Sequence, residues 1–179
     1  MKVYTERLIL RKMTPEDREA IFRYLSDADT NRFQSWIPET SGEVEEFIKN
    51  HIKDFNVPGT WFQLLIAEKD SGSVIGDIGV HFIGSDGQQA ELGITVSKEY
   101  HHKGYASEAL KGIIGYLFQE FGKHRITASV DPRNTASMKL MERVGFRKEG
   151  HFIKSLFWKN EWADDVIFAL LKDEWETGQ

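Results

Sequence analysis

The sequence predicts one α/β domain built on a mixed sheet, and three observations carry that prediction. Short apolar runs bounded by turn residues alternate with stretches whose apolar positions recur every three or four residues. Their order is β-α-α-β-β-β-α-β-α-β-β, which gives a sheet antiparallel at its front and joined by helical crossovers later. At 179 residues, 40% hydrophobic and 28% charged, the chain can close one core without staples. It has no linker, repeat or low-complexity stretch, so residues 1–179 are expected to form a single domain.

Leu8-Ile9-Leu10, between Arg7 and Arg11, is the first expected strand. Thr14 and Pro15 read as N-cap and first helical residue of a helix through Ile21, Phe22 and Leu25. Residues 27–38 are irregular but carry Phe33, Trp36 and Ile37. Ser41 caps a second helix with Val44, Phe47, Ile48 and Ile52 on its apolar side. Strands follow at 61–68 and 73–83, and a hairpin turn at Ser85-Asp86-Gly87 leads into a strand over 90–96. A helix is expected over 106–121, a strand over 125–130 and a helix over 135–144 closed by Gly145. Two last strands, 147–158 and 162–171, flank Lys159-Asn160-Glu161.

Composition narrows the function. A formal net charge of -5 argues against nucleic acid as the main partner and suits a cationic or amine substrate. Without cysteine there is no disulfide, no thiolate metal site and no cysteine nucleophile. His101 and His102 are adjacent, a spacing that does not suit metal ligation, and no metal is expected. No run reaches the ~18 apolar residues of a membrane span, and the first residues lack a signal-peptide core, so a cytoplasmic protein with no membrane contact is expected.

The most informative segment is His101-His102-Lys103-Gly104-Tyr105-Ala106-Ser107, a basic turn between a strand and a helix. It aims the first free N–H groups of the helix, with roughly half a positive charge, at whatever lies above it. Gly104 lets the backbone approach a ligand closely, and Lys103 and the histidines add positive potential, so a phosphate or diphosphate is the expected guest. Neither the three spaced glycines of a Rossmann turn nor a P-loop is present. One strand later, Asp131-Pro132-Arg133-Asn134 opens the next helix, where Asn134 is either a ligand contact or an N-cap alone.

Ala90-Glu91-Leu92-Gly93-Ile94, the Lys103-to-Leu110 turn and helix, and Asn134, Ser137 and Val144-Gly145-Phe146 together resemble the GNAT N-acetyltransferase superfamily. Within it the chain is similar to the RimJ/RimL-type group of ribosomal-protein N-terminal acetyltransferases, a likeness that extends to Thr5–Arg11 and to Leu170–Trp175. The resemblance implies a GNAT-like domain: a mostly antiparallel sheet of six to seven strands, about four flanking helices, and a splayed strand pair forming the cleft for coenzyme A. It implies acetyl-CoA as co-substrate. The backbone from His102 through Lys103, Gly104, Tyr105, Ala106 and Ser107 would hold the diphosphate. The pantetheine arm would run beside Ile94, Thr95 and Val96, with Asn134 bonding it from the other side. His101 stands where the superfamily usually has glutamine or arginine.

Acetyl transfer to an amine needs a base for the amine, a donor for the carbonyl oxygen and support for the departing thiolate. Glu91 is the candidate base, on the strand face it shares with Gly93 and Thr95; a plain surface glutamate is the competing reading. Main-chain N–H near Ile94 or Thr95 would serve the oxygen. Many relatives carry a tyrosine seven residues after the asparagine, but Met141 stands there; Ser137 matches the serine of the RimJ/RimL-type group, or is only a helix-start residue. Phe33, Trp36, Phe157, Trp158 and Asp164 are the expected acceptor-side residues. The acceptor is expected to be a protein N-terminal amine or a small amine, and a homodimer is compatible with the aromatic content. A coenzyme A-binding sensor without catalysis, which Met141 favours, and a nucleotide-binding regulator remain as alternatives.

Overall fold

The computed structural model describes residues 1–51 and 54–178, which leaves the expected place of Ile52 outside the described residues. Eight strands form one sheet: β1 (Lys2–Tyr4), β2 (Leu8–Lys12), β3 (Trp61–Glu68), β4 (Val74–Ile83), β5 (Gln89–Val96), β6 (Arg125–Val130), β7 (Arg147–Trp158) and β8 (Glu161–Leu171). They lie in the order β1-β2-β3-β4-β5-β6-β8-β7, and every neighbouring pair is antiparallel except β5 with β6. Among the described residues five α-helices accompany them: α1 (Arg18–Leu25), α2 (Ser41–His51), α3 (Tyr105–Gln119), α4 (Thr135–Val144) and α5 (Lys172–Thr177).

Strand alternation divides the core between the two faces of the sheet. Leu64, Ile66, Ile78, Val80, Leu92 and Ile126 meet the apolar side of α3, where Ala109, Leu110, Ile113, Ile114 and Leu117 are fully buried. On the opposite face Leu65 packs with Met13, Ile21, Tyr24, Leu25, Val44 and Ile48 from α1, α2 and the chain leading to them. The apolar spacing of these helices is thus accounted for by the face each one covers.

The expected GNAT-like α/β architecture is present, with differences at its ends. β1 adds a strand: three residues are too few to show a period, yet Val3 is buried and pairs with Leu10. α5 adds a helix directly after β8, with the Glu174 carboxylate accepting from the Leu171 N–H at 2.8 Å. The first expected helix opens as a 3-10 turn over Pro15–Asp17. There the Asp17 carboxylate accepts from the Thr14 N–H and from two nitrogens of Arg11, at 2.6–2.8 Å, and draws the turn tight.

β5 is the strand that matters. It pairs with β4 along its whole length, from Gly76↔Val96 to Ile83↔Gln89. β6 pairs just as fully with β8. Between them the parallel pairing covers only Gln89↔Arg125, Ala90↔Ile126 and Glu91↔Thr127, and beyond Glu91 the two strands diverge. Gly76 holds β5 to the β4 side of this split, since a Cβ there would stand 2.1 Å from the Thr95 carbonyl oxygen.

α1 is tied to the middle of the sheet by a buried pair. Tyr24 Oη donates to Asp77 Oδ2 at 2.7 Å, and burial pushes the Asp77 carboxyl up to about 6 against the opposing pull of that bond. A carboxyl whose pKa rises on folding favours the folded state below its unfolded value, and that contribution is lost as pH climbs through the folded one. The Asp77→Asn chain should therefore gain stability relative to wild type between pH ~4 and ~7, by on the order of 3 kcal/mol. Urea unfolding at the two pH values measures this; a pH-independent difference would contradict it.

Candidate active site

After β5 the chain makes a 3-10 turn over Lys98–Tyr100, and the His101 ring folds back so that Nε2–H donates to the Val96 carbonyl at 2.8 Å. His102 and Gly104 then take left-handed conformations, φ 60° and 84°, and α3 starts at Tyr105. Alternation of this kind turns successive N–H groups to one side and makes an anion-binding concavity. No described residue accepts from the main-chain N–H groups of His102 through Ser107; the first to be used is Glu108, which donates to the Gly104 carbonyl. The expected strand-turn-helix junction is thus formed, and among the described residues its main-chain donors are unused.

A network below the turn fixes it. Glu108 accepts from Thr5 Oγ1 at 2.6 Å, from the Arg7 N–H at 2.7 Å and from Arg7 Nε at 2.7 Å. Arg7 Nη1 donates onward to the Lys103 carbonyl at 3.1 Å, and the guanidinium lies 4.3 Å from the Tyr105 ring centre. Tyr105 Oη donates to Glu68. Burial works against the Glu108 charge, but the three donors outweigh it and keep the carboxyl below the usual range. The motif residues near the N-terminus therefore brace the turn from beneath.

A cavity of about 510 Å3 begins at this turn and runs through the split between β5 and β6. Its lining comes from both faces of the sheet: Leu92, Ala128 and Val130 belong to the α3 side, Gly93, Thr95 and Ser129 to the other. Register shows which backbone groups it meets. The Ser97 N–H donates to the Ile75 carbonyl at 2.8 Å, so Glu91, Gly93 and Thr95 exchange main-chain bonds with β4. Leu92, Ile94 and Val96 turn theirs toward β6, where the Glu91↔Thr127 pairing takes up the Leu92 N–H and the groups beyond it face the gap. Of the expected contacts on this strand, Ile94 presents both groups, Val96 only its N–H because His101 holds its carbonyl, and Thr95 neither. Thr95 contributes instead its hydroxyl, which accepts from Gln34 Nε2 at 2.8 Å.

α4 forms the facing wall. Asn134 is its N-cap, with Oδ1 accepting from the Ser137 N–H at 3.2 Å, and it lines the cavity as well. The capping half of the expectation is present, since the oxygen caps, and among the described residues the amide nitrogen has no acceptor. Ser137 lines the cavity with a hydroxyl that no described residue engages, and the Met141 side chain closes the apolar part of the wall.

On the α1–α2 face Glu91 and His81 are partners across β4 and β5, 3.9 Å from Oε2 to Nδ1, with His81 stacked on Trp61 at 4.8 Å. Burial raises the Glu91 pKa, the nearby His81 opposes this, and Asp165 adds to the rise. Ser129 Oγ donates to Asp165 Oδ1 at 2.7 Å, and Asp165 is buried. Glu91 sits beside the cavity rather than in its lining, two residues before Gly93 on the same side of β5.

The expected acceptor-side residues divide. Phe33 lines the cavity together with Thr30 and Gln34. Trp36 does not; it stacks on Phe47 at 4.8 Å and belongs to the α1–α2 core. Phe157 is exposed and packs on Trp162, and Trp158 lies under Lys159, both at the far end of the β7–β8 hairpin. Asp164 is engaged elsewhere, accepting from His151 Nε2 and from the Lys154 N–H at 2.9 Å each, where it pins the irregular part of β7. Its neighbour Asp165 is the one that reaches the split. Strand parity separates the two aspartates, but only the pairing of β8 with β6 tells which parity faces the acceptor side.

A sheet opened between two strands, with free helix-start amides at one mouth and carboxylates at the other, defines an enzyme that passes a group from an extended, diphosphate-bearing donor to an acceptor across the sheet. A family model described as an acetyltransferase (GNAT) domain matches residues 7–147. An uncharacterised N-acetyltransferase of Bacillus licheniformis is 34% identical over 173 residues, covering 97% of each chain. The ribosomal protein uS5-alanine N-acetyltransferase of Escherichia coli is 30% identical, covering 100% of this chain and 95% of its own. A GNAT-family acetyltransferase structure from Bacillus anthracis superposes with a TM-score of 0.88 at 31% identity, over 97% of this chain and 99% of that one. The chain belongs to the GNAT acetyltransferases, and its activity is acetyl-CoA-dependent N-acetylation. Among the described residues no helix is long and apolar enough to cross a membrane, and no group of three or more His, Asp or Glu is placed to hold a metal ion.

The brace under the turn yields a test. Glu108→Gln leaves Arg7 without its carboxylate partner, and the KM for acetyl-CoA should rise roughly 5- to 10-fold with a smaller change in kcat. Initial rates against acetyl-CoA concentration measure it; an unchanged KM would show that the turn holds its shape unaided.

Proposed function

We propose that the acceptor is a primary amine, either a protein N-terminal amine of the kind acetylated by the RimJ/RimL-type group or a small amine, and that it attacks the thioester directly in a ternary complex. The observation that carries this reading is the cavity crossing the sheet, because donor and acceptor can enter from opposite faces and meet in the split. The main-chain N–H groups of His102 through Ser107 hold the diphosphate. The free edge of β5 at Leu92 and Ile94 accepts the pantetheine arm as an added strand, and Asn134 Nδ2 bonds it from α4.

Each chemical need has a residue near it. The Ile94 N–H faces the gap and stabilises the carbonyl oxygen as charge develops. The Ser137 hydroxyl supports the thiolate, in place of the tyrosine that Met141 replaces. Glu91, its basicity raised by burial, takes the amine proton directly or through one water. The relation to the uS5-alanine enzyme supports a protein N-terminus; the small-amine option is supported by the size of the cavity.

Met141, buried in the wall where a proton donor would stand, supports a second reading, a coenzyme A-binding module without turnover. Thiol release separates the two. The chain has no cysteine, so free thiol formed from acetyl-CoA can be followed against no protein background. Amine-dependent release with intersecting initial-rate lines is expected for N-terminal peptides or small amines. Acetyl-CoA binding without release across both acceptor classes would favour the module.

Glu91→Gln should lower kcat/KM about 100-fold and abolish an acidic limb lying above the usual glutamate range, since a raised base gains activity as pH climbs through its own pKa. A profile unchanged in shape would remove Glu91 from proton transfer. Ser137→Ala should cut kcat roughly 10-fold with acetyl-CoA affinity retained; equal kcat would leave Ser137 a helix-start residue.

A further inference from the structure

Two glycines, Gly79 and Gly93, are directly opposed across β4 and β5 on the face where Glu91 and Asp165 lie. The first is explained by packing. A Cβ on Gly79 would stand 3.0 Å from Gln63 Oε1 and 3.1 Å from the Trp61 ring, which together cover it. The second is not. A Cβ on Gly93 would meet no described atom within 4 Å, and its backbone lies outside the left-handed region that favours glycine. Glycine inside a strand costs roughly 0.5–1 kcal/mol relative to alanine and often marks a place that something approaches closely. Gly93 is exposed between buried Leu92 and half-buried Ile94, and it opens onto the cavity.

The surroundings of this empty position are anionic. Glu91 stands two residues earlier on the same face, with His81 at 3.9 Å as its nearest cationic partner. Across the split Ser129 holds Asp165, which is 8% exposed and has no ion-pair partner among the described residues. The same face also carries Asp77, engaged by Tyr24, and two arginines already paired, Arg11 with Asp17 and Arg125 with Glu149. Ile94, whose N–H faces the gap, is the next residue along the strand.

We propose that Gly93 determines which acceptors are acetylated: the space its absent side chain leaves is the slot through which a primary ammonium reaches the thioester, between Glu91 and the Ser129–Asp165 pair. The slot rests on the acceptor-face reading given above and adds to it a steric gate and a charge preference. An amine enters as a cation and gives one proton to Glu91. Its nitrogen then bonds to the thioester carbonyl carbon beside the Ile94 N–H, the C–S bond breaks, and the departing thiolate takes the second nitrogen proton to leave amide and free coenzyme A thiol.

Because the protein has no cysteine, Gly93→Cys places a lone thiol at the slot. Two methanethiosulfonate reagents of similar size, one carrying trimethylammonium and one sulfonate, report access and sign of charge without a known acceptor. Normalised to free cysteine, the cationic reagent should react roughly 10-fold faster than the anionic one, and Asp165→Asn should reduce that ratio several-fold. In parallel, Gly93→Ala should fold with undiminished thermal stability and bind acetyl-CoA within about twofold of wild type, while the KM for the amine rises roughly 10-fold or more. An unreactive thiol, equal rates for the two reagents, an Ala variant that fails to fold, or an unchanged amine KM would each overturn the slot. Absence of amine-dependent thiol release in wild type would instead sink the transferase mechanism, and the labelling ratio would still judge the slot on its own.

Discussion

The structure depends on one unequal contest of strand pairing. β5 is bonded to β4 over eight residues and β6 to β8 over six, whereas β5 and β6 share only three pairs. Each strand follows its antiparallel partner, and the twist of the two half-sheets draws them apart past Glu91. The consequence is a sheet with an internal edge. The Leu92 carbonyl and both main-chain groups of Ile94, which a continuous sheet would consume, are left facing a cavity, and unpaired groups in such a place call for a partner of extended form. The arm of coenzyme A has that form.

Preorganisation on either side of the split has different origins. On the donor side it is backbone: a left-handed turn, the start of α3, and a half-buried carboxylate, Glu108, collecting three donors from the β1–β2 connection to hold the turn in place. Backbone donors held in this way need no reorientation when an anion arrives. On the acceptor side it is side-chain charge, Glu91 and Asp165 facing a strand position that carries no side chain. In the proposed mechanism the two sides meet at Ile94, where one peptide would link nucleotide binding to chemistry. Asn134 shows how economically the wall is built: one end of its amide caps α4 while the other lines the cavity without an acceptor among the described residues.

Much of this was legible beforehand because it is local. The basic turn, the start and end of α4, the strands at 61–68, 125–130 and 147–158 and the glycine that ends α4 all follow from periodicity, capping and turn chemistry within a few residues. Shorter signals did not reach that threshold: three residues of β1 show no period, and α5 follows β8 without a turn to announce it. The acceptor side was read less well, since an aromatic residue in an irregular segment looks the same whether it lines a cavity, as Phe33 does, or stacks on a helix, as Trp36 does.

What the sequence by itself determined is a strand, a basic turn and a helix start of the kind suited to a diphosphate, with Asn134 and Ser137 one crossover later. These are short-range consequences of residue type. Tertiary structure alone decided that β5 and β6 part after Glu91, that Thr95 spends its backbone on β4, that Asp165 and not Asp164 reaches the split, and that nothing covers Gly93. All four depend on which strands lie side by side, and neighbours in a sheet are chosen by burial and pairing summed over the whole chain, which no local stretch encodes.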